Sequence, residues 1–213
     1  MKRIRPAAVI FDYGNVLSAP QGPAEVEKMT SILNVSADHF RQAYWRYRLS
    51  YDEAELDDVS YWQQVAQFLS RSLTEQQIAI LVETDCRGWS YPDPVLPQWA
   101  REIRTAGIKT ALLSNMPASV RDHILRCDWL PRFDQRVFSC DVRVAKPAEE
   151  IFRHCLKGLD VDPQGVLFLD DRPENVQAAE ALGLHGIVCT AANQAAQDIA
   201  SRFDLPVPLV PAP

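Results

Sequence analysis

Short, nearly unbroken apolar runs alternate along this chain with longer stretches in which apolar residues recur at helical spacing. The runs fall at 7–12, 108–113, 136–139, 166–169 and 186–189. The clearest of them, Val166 to Leu169, has no polar alternation at all, which predicts a strand buried on both faces of a parallel sheet. Helices are expected after the Pro-punctuated segment 91–99 as far as Ala106, closed by Gly107, and then at 117–127, 148–159 and 174–183. Strand and helix in strict alternation predict an α/β fold with a doubly wound parallel sheet.

One long segment breaks the alternation. From Ala24 to Trp89 there is no proline, no glycine before Gly88 and no strand signal. Apolar spacing predicts helices at 24–34, 37–48, 58–71 and 75–87, with Ser36 and Thr74 as N-caps; Thr74 to Gln77 has capping-box form. This reads as a small all-helical insertion between the first and second strands, entered through the turn-rich YGNVLSAPQGP. The closing LPVPLVPAP is expected to be extended or mobile.

Composition narrows the partners more than the fold. The 213 residues are 47% hydrophobic and 23% charged, ordinary for a globular protein. A net charge of −6 argues against a nucleic-acid footprint or an anionic membrane surface. Cys86, Cys127, Cys140, Cys155 and Cys189 are scattered and contain no CxxC, so neither a zinc site nor a disulfide framework is expected, and a reducing cytoplasm fits best. After Lys2, Arg3 and Arg5, the run Ala7 to Phe11 is too short for a signal-peptide core or a membrane span.

The chemistry gathers at strand ends. The first strand stops at Asp12, the second at Ser114-Asn115, the fourth at Asp170-Asp171, with Asn175 four residues on; Lys146 lies in a loop before Pro147. Open α/β sheets hold ligands at the carboxyl ends of their strands. Adjacent acids repel unless something cationic offsets them, and oxygen-rich cages suit Mg²⁺. Taken singly, strand-end acids can cap helices, Ser-Asn is an ordinary turn, and Lys146 reads as a solvated loop residue. Together they suit phosphoryl transfer: Asp12 as nucleophile, Mg²⁺ neutralising charge, Ser114 bonding a phosphoryl oxygen, and Lys146 keeping Asp12 ionised.

With FDYGNVL, LLSN, KP and FLDDRPENVQAA in order, the chain resembles the haloacid dehalogenase (HAD) superfamily of hydrolases. The closest likeness is to the subgroup holding glucose-1-phosphate phosphatase-like proteins and the phosphatase domain of some epoxide hydrolases. The resemblance implies a Rossmann-like core at 1–17 and 93–213, a helical cap at 18–92, and Mg²⁺-dependent hydrolysis of a small phosphorylated metabolite such as a sugar phosphate, by a monomer or homodimer. By the match, Asp12 is nucleophile, Asp12, the Gly14 carbonyl and Asp171 bind the metal, Asn115 contacts substrate, and Asp170 and Asn175 support the site. Asp171 is preferred to Asp170 because Asn175 stands at the family's second acidic position relative to it.

Phosphatases of this family usually carry an acid two residues past the nucleophile, where this chain has Gly14. Its absence predicts slow turnover, restriction to good leaving groups, or a substitute from cap or substrate. The alternatives are a metal-independent 2-haloacid dehalogenase, against which the Asp170-Asp171 pair counts, and a catalytically weak binding protein. In the insertion, YWRYRLSY (44–51) offers Tyr44 and Arg48, one helical turn apart, as substrate contacts. The competing reading is an ordinary amphipathic helix.

Overall fold

The structure, a computed structural model, describes residues 3–190 and 192–209. Strand β1 (Ala8–Phe11) is followed by α1 (Pro23–Leu33), α2 (Ala37–Arg46), α3 (Arg48–Asp52), α4 (Asp58–Phe68) and α5 (Glu75–Gly88). Then come α6 (Leu96–Thr105), β2 (Lys109–Ser114), α7 (Ala118–Ile124), β3 (Gln135–Phe138), α8 (Ser139–Val142) and α9 (Glu149–Leu159). The series closes with β4 (Val166–Asp170), α10 (Pro173–Ala181), β5 (His185–Val188) and α11 (Ala192–Arg202).

All five strands are parallel, in the order β3-β2-β1-β4-β5. The unbroken apolar runs are explained by period two, because successive side chains bury into opposite layers. Val9, Phe11, Leu112, Leu167 and Leu169 pack with Trp99, Ile103, Ile199 and Phe203. Ala8, Ile10, Ala111, Leu113, Val166 and Phe168 pack on the other face with Ile151, Phe152 and Cys155. Phe11 lies level with Leu112 on one side and Leu169 on the other, so Asp12, the end of β2 and Asp170 reach one sheet edge.

The helical insertion after β1 has its own core, built on Met29, Phe40, Tyr44, Tyr61, Trp62 and Leu81. Ser36 caps α2 by accepting from the His39 amide, and Thr74 with Gln77 forms the expected capping box. The two chain crossings are hydrogen-bonded to each other: Ala19 N–H donates to Tyr91 O at 2.8 Å, and Asp93 N–H to Leu17 O at 2.9 Å. Gly107, at φ +78°, ends α6 in the left-handed conformation that glycine adopts without steric cost.

Some expected boundaries move. The helix expected over 37–48 ends at Arg46, since Tyr47 leaves helical geometry (φ −111°, ψ 4°) and a new turn, α3, starts at Arg48. Helix α6 starts inside the proline-rich segment because Asp93 Oδ1 accepts from the amides of Val95 and Leu96, both at 2.8 Å, and Pro97 needs no donor in a first turn. Helices α8 and α11 were not foreseen, α8 because it is four residues long and α11 because few large apolar side chains mark its period. The tail is pinned at Pro206, whose carbonyl accepts from Trp99 Nε1 at 2.6 Å; the remainder of that expectation, at 210–213, and Lys2 lie outside the described residues. The five cysteines are free thiols. Among the described residues no helix is long and apolar enough to cross a membrane.

Candidate active site

A cavity of about 590 Å³ opens at the carboxyl edge of the sheet, under the inserted helices. Strand β1 delivers Asp12 there, and the chain leaves through a single turn in which Gly14 is extended and Asn15 is left-handed (φ 58°), a conformation asparagine tolerates. Asp12 Oδ1 accepts from the Tyr13 amide at 2.7 Å and meets Lys146 Nζ at 2.8 Å. Among the described residues Oδ2 takes no hydrogen bond, so one carboxylate oxygen is uncommitted.

Lys146 is no solvated loop lysine. Its side chain is 1% exposed, and Nζ reaches Asp12 Oδ1 at 2.8 Å, Asp170 Oδ2 at 2.6 Å and Leu113 O at 2.8 Å. Asn115 places it: Asn115 Nδ2 donates to the Lys146 carbonyl, and the Lys146 amide donates to Asn115 Oδ1, each at 2.8 Å. Both polar atoms of Asn115 are thus engaged with Lys146's main chain, although the residue also lines the cavity. Ser114, at the end of β2, lines the cavity with a hydroxyl that makes no hydrogen bond among the described residues.

The two β4-tip acids differ in surroundings. Asp170 is fully buried, with Oδ2 on Lys146 and Oδ1 accepting from the Arg172 amide and Asn175 Nδ2, both at 2.9 Å. Asp171 is partly exposed, lines the cavity, and accepts one bond, from Asn15 Nδ2 at 2.8 Å. One oxygen from each of Asp12, Asp170 and Asp171 falls within 4.8 Å of the others. Asn175 Oδ1 is buried beside them with no hydrogen-bond partner.

Three carboxylates against one ammonium leave two unbalanced negative charges, the charge of one divalent cation. Burial pushes the Asp12 carboxyl up to about 7; Lys146 opposes this, while Asp170 and Asp171 add to it. Burial alone would lower Lys146, but Asp12 and Asp170 outweigh it and raise its affinity for its proton. Burial, opposed by Asn15 and reinforced by Asp170, also raises Asp171. An all-oxygen set with an orphaned acceptor and surplus negative charge fits a hard cation such as Mg²⁺.

Gly14 lies on the cavity wall beneath Trp89, whose Cζ3 would stand 3.5 Å from a β-carbon placed there. Arg48 also lines the cavity, but Tyr44 does not; it is buried behind Arg48, where its hydroxyl bonds Asp85 at 2.7 Å and accepts from Trp89 Nε1 at 3.1 Å. The structure therefore brings Asp12, Gly14, Ser114, Asn115, Lys146, Asp171, Asn175 and Arg48 to one cavity and leaves Tyr44 off its wall. Asn15, Asp52 and Trp89 line it as well and were not singled out beforehand. For Asn15 a signal existed, since Gly14-Asn15, just past the strand-end acid Asp12, is a turn pair that can aim a polar side chain back at the strand tips.

The family description "haloacid dehalogenase-like hydrolase" fits residues 6–183. A sesquiterpene phosphatase of Aspergillus oryzae is 31% identical over 101 residues, 46% of this chain and 51% of that protein. Bifunctional epoxide hydrolase 2 of Sus scrofa is 32% identical over 107 residues, 48% of this chain and 19% of that protein. The chain thus spans about half or less of the length of these curated relatives. Among solved structures, a HAD family enzyme of Bacteroides thetaiotaomicron in complex with magnesium and inorganic phosphate superposes with a TM-score of 0.64 at 18% identity, covering 86% of this chain and 93% of that one; at that identity the likeness concerns the fold.

Proposed function

Since the chain belongs to the haloacid dehalogenase-like hydrolase family, we propose that it is a Mg²⁺-dependent phosphomonoester hydrolase acting on a small phosphorylated metabolite through an aspartyl-phosphate on Asp12. The observation that carries this reading is the buried ammonium of Lys146 seated between Asp12 and Asp170, beside a third acid and an orphaned amide oxygen. Such an arrangement leaves one Asp12 oxygen free and a surplus of negative charge that a divalent cation balances.

In this reading Asp12 Oδ2 attacks phosphorus, and the bond to the leaving oxygen breaks with its electron pair. Lys146 keeps Asp12 ionised when the site is loaded, and Asn115 holds Lys146 in register. The Ser114 hydroxyl donates to a phosphoryl oxygen, and water then displaces Asp12 from phosphorus. Asp12, Asp171 and the Gly14 carbonyl would hold Mg²⁺, with Asn175 in support; when bound it neutralises phosphoryl charge. Asp171 suits this better than Asp170, whose two oxygens are already taken by three donors. Residues 18–92 would form the cap over 1–17 and 93–213, a division supported by the paired crossings near Ser18 and Pro92.

The sesquiterpene phosphatase and the magnesium- and phosphate-bound relative support the phosphatase reading, and they lend no weight to weak turnover. Phosphate release from p-nitrophenyl phosphate and from a panel of sugar and isoprenoid phosphates, with and without Mg²⁺, tests it. Metal-dependent release abolished by Asp12→Asn is expected. Metal-independent halide release from 2-haloacids would favour the dehalogenase alternative, and ligand binding without turnover the binding-protein one.

A further inference from the structure

Three carboxyl groups line the cavity among the described residues: Asp12 and Asp171 belong to the strand tips, and the third, Asp52, comes from α3 of the insertion. We propose that Asp52 is the general acid and base of the reaction, supplying from the inserted helices the group that Gly14 lacks. The proposal rests on the phosphatase reading above.

Asp52 shares one guanidinium with a second acid. Arg48 Nε donates to Asp52 Oδ1 at 2.7 Å and Nη1 to Asp85 Oδ2 at 3.2 Å. The side chains of Arg48, Asp52 and Asp85 are 7%, 10% and 2% exposed. Two buried acids on one base favour retention of a proton by one of them. Asp85 is the better-solvated anion, because it also accepts from the Tyr44 hydroxyl at 2.7 Å and from Gln21 Nε2 at 2.9 Å. Asp52 accepts from Arg48 alone among side chains, and its Oδ2 makes no hydrogen bond among the described residues. Burial raises both carboxyls, but of the two it is Asp52, the member of the pair that lines the cavity, that is the readier to take up a proton as pH falls.

Burial pushes the Asp52 carboxyl up to about 6; Arg48 opposes this, and Asp85 and Glu53 add to it. The other ionisable groups around it are Tyr61 of α4 and Cys140 of α8, both neutral at that pH, with Tyr44 of α2 behind Arg48. That places its titration in the range where an acid can give up a proton and take one back.

Its position is held from the sheet side. The Asp52 carbonyl accepts from Ser139 Oγ at 2.6 Å, the Tyr51 hydroxyl is 2.9 Å from Ser119 Oγ, and Glu53 Oε1 accepts from the Ala145 amide at 2.9 Å. Three consecutive residues of the insertion are thus tied to α7, α8 and the Lys146 loop, which fixes α3 on the wall of the cavity that Asp12 and Asp171 also line. As the phosphorus–oxygen bond of the ester breaks, its electron pair goes to the leaving oxygen, which takes the Asp52 proton and departs as an alcohol. The Asp52 carboxylate then takes a proton from the water that forms the new phosphorus–oxygen bond, while the electron pair of the Asp12 bond returns to its carboxylate.

The test compares wild type with Asp52→Asn, an isostere that can still accept from Arg48, by the first-turnover burst of released alcohol at saturating Mg²⁺. For p-nitrophenyl phosphate, whose anion leaves unaided, the burst is expected to change by less than about 3-fold and to be followed by slow phosphoenzyme hydrolysis. For an alkyl phosphate the burst is expected to fall ~10²–10⁴-fold, the usual worth of general-acid help, and the decline of the wild-type rate as pH rises is expected to disappear. Equal loss on both substrates, or no loss on the alkyl ester, overturns the role. So does a wild type whose own burst rate falls steeply with leaving-group basicity, a measurement independent of the variant's folding. A wild type inert toward p-nitrophenyl phosphate with Mg²⁺ overturns the phosphatase reading and this proposal with it; an active one with the other results overturns only Asp52.

Discussion

Replacing Lys146 with methionine removes the one side-chain cation that, among the described residues, touches Asp12 and Asp170, while keeping most of the side-chain volume. The Lys146 side chain is 1% exposed and its ammonium bonds both carboxylates and the Leu113 carbonyl, so water does not readily take its place. Breaking a buried ion pair from one side typically costs ~3–5 kcal/mol, most of it the penalty of an uncompensated charge. Against a typical domain stability of ~5–15 kcal/mol, the variant should fold but with a much reduced margin. Its loss should depend on pH. In the metal-free protein Asp12 titrates near 7, above the ordinary 3.8, so the folded state binds more protons than the unfolded one and stability falls as pH rises through that value. Without Lys146 the one influence that lowers Asp12 strongly is gone, and the penalty grows further toward alkaline pH. Urea unfolding in EDTA at pH 8 should therefore show a large loss, and at pH 5 a clearly smaller one. A loss under ~1 kcal/mol at pH 8, or one equal at both pH values, would refute the buried-charge argument.

Asp171→Asn should leave stability nearly unchanged but raise the Mg²⁺ concentration for half-maximal activity at least ~10-fold, whereas Asp170→Asn, which disturbs three donors, should destabilise by ~3 kcal/mol or more; metal titration of activity and urea unfolding separate the two. Gly14→Ala should shift stability by no more than ~0.5 kcal/mol, because φ is −64° and the new β-carbon meets Trp89 at ordinary contact distance; thermal unfolding checks this. Thr74→Ala should cost ~1 kcal/mol by removing the capping box of α5, with turnover unaltered.

What the sequence carried most clearly was local. The apolar run into Asp170-Asp171, the cap residues Ser36 and Thr74 and the stop at Gly107 all express rules that operate within a few residues, and the structure follows them. The meeting of Asp12, Lys146 and Asp170 was legible too, because parallel strands send their ends to one edge and motif order did the rest. Long-range pairings were not legible. Tyr44 and Arg48 do lie a turn apart, but their shared partner Asp85 comes from another helix 37 residues beyond Arg48, and it draws Tyr44 away from the cavity wall. Asp52 carries no local signal in the sequence, since the bonds that hold its segment at the cavity come from Ser139 to Asp52 and from Ala145 to Glu53, 87 and 92 residues further along the chain. Trp89 over Gly14 was hidden for the same reason.

Acid-quenched rapid mixing with a ³²P-labelled phosphomonoester, followed by peptide mapping, asks whether Asp12 itself takes the phosphoryl group. The expected result is a hydroxylamine-labile label on the peptide containing Asp12, formed with Mg²⁺, lost with EDTA and absent from Asp12→Asn. Phosphate released in full turnover with no label on that peptide, or label formed without a divalent cation, would contradict it.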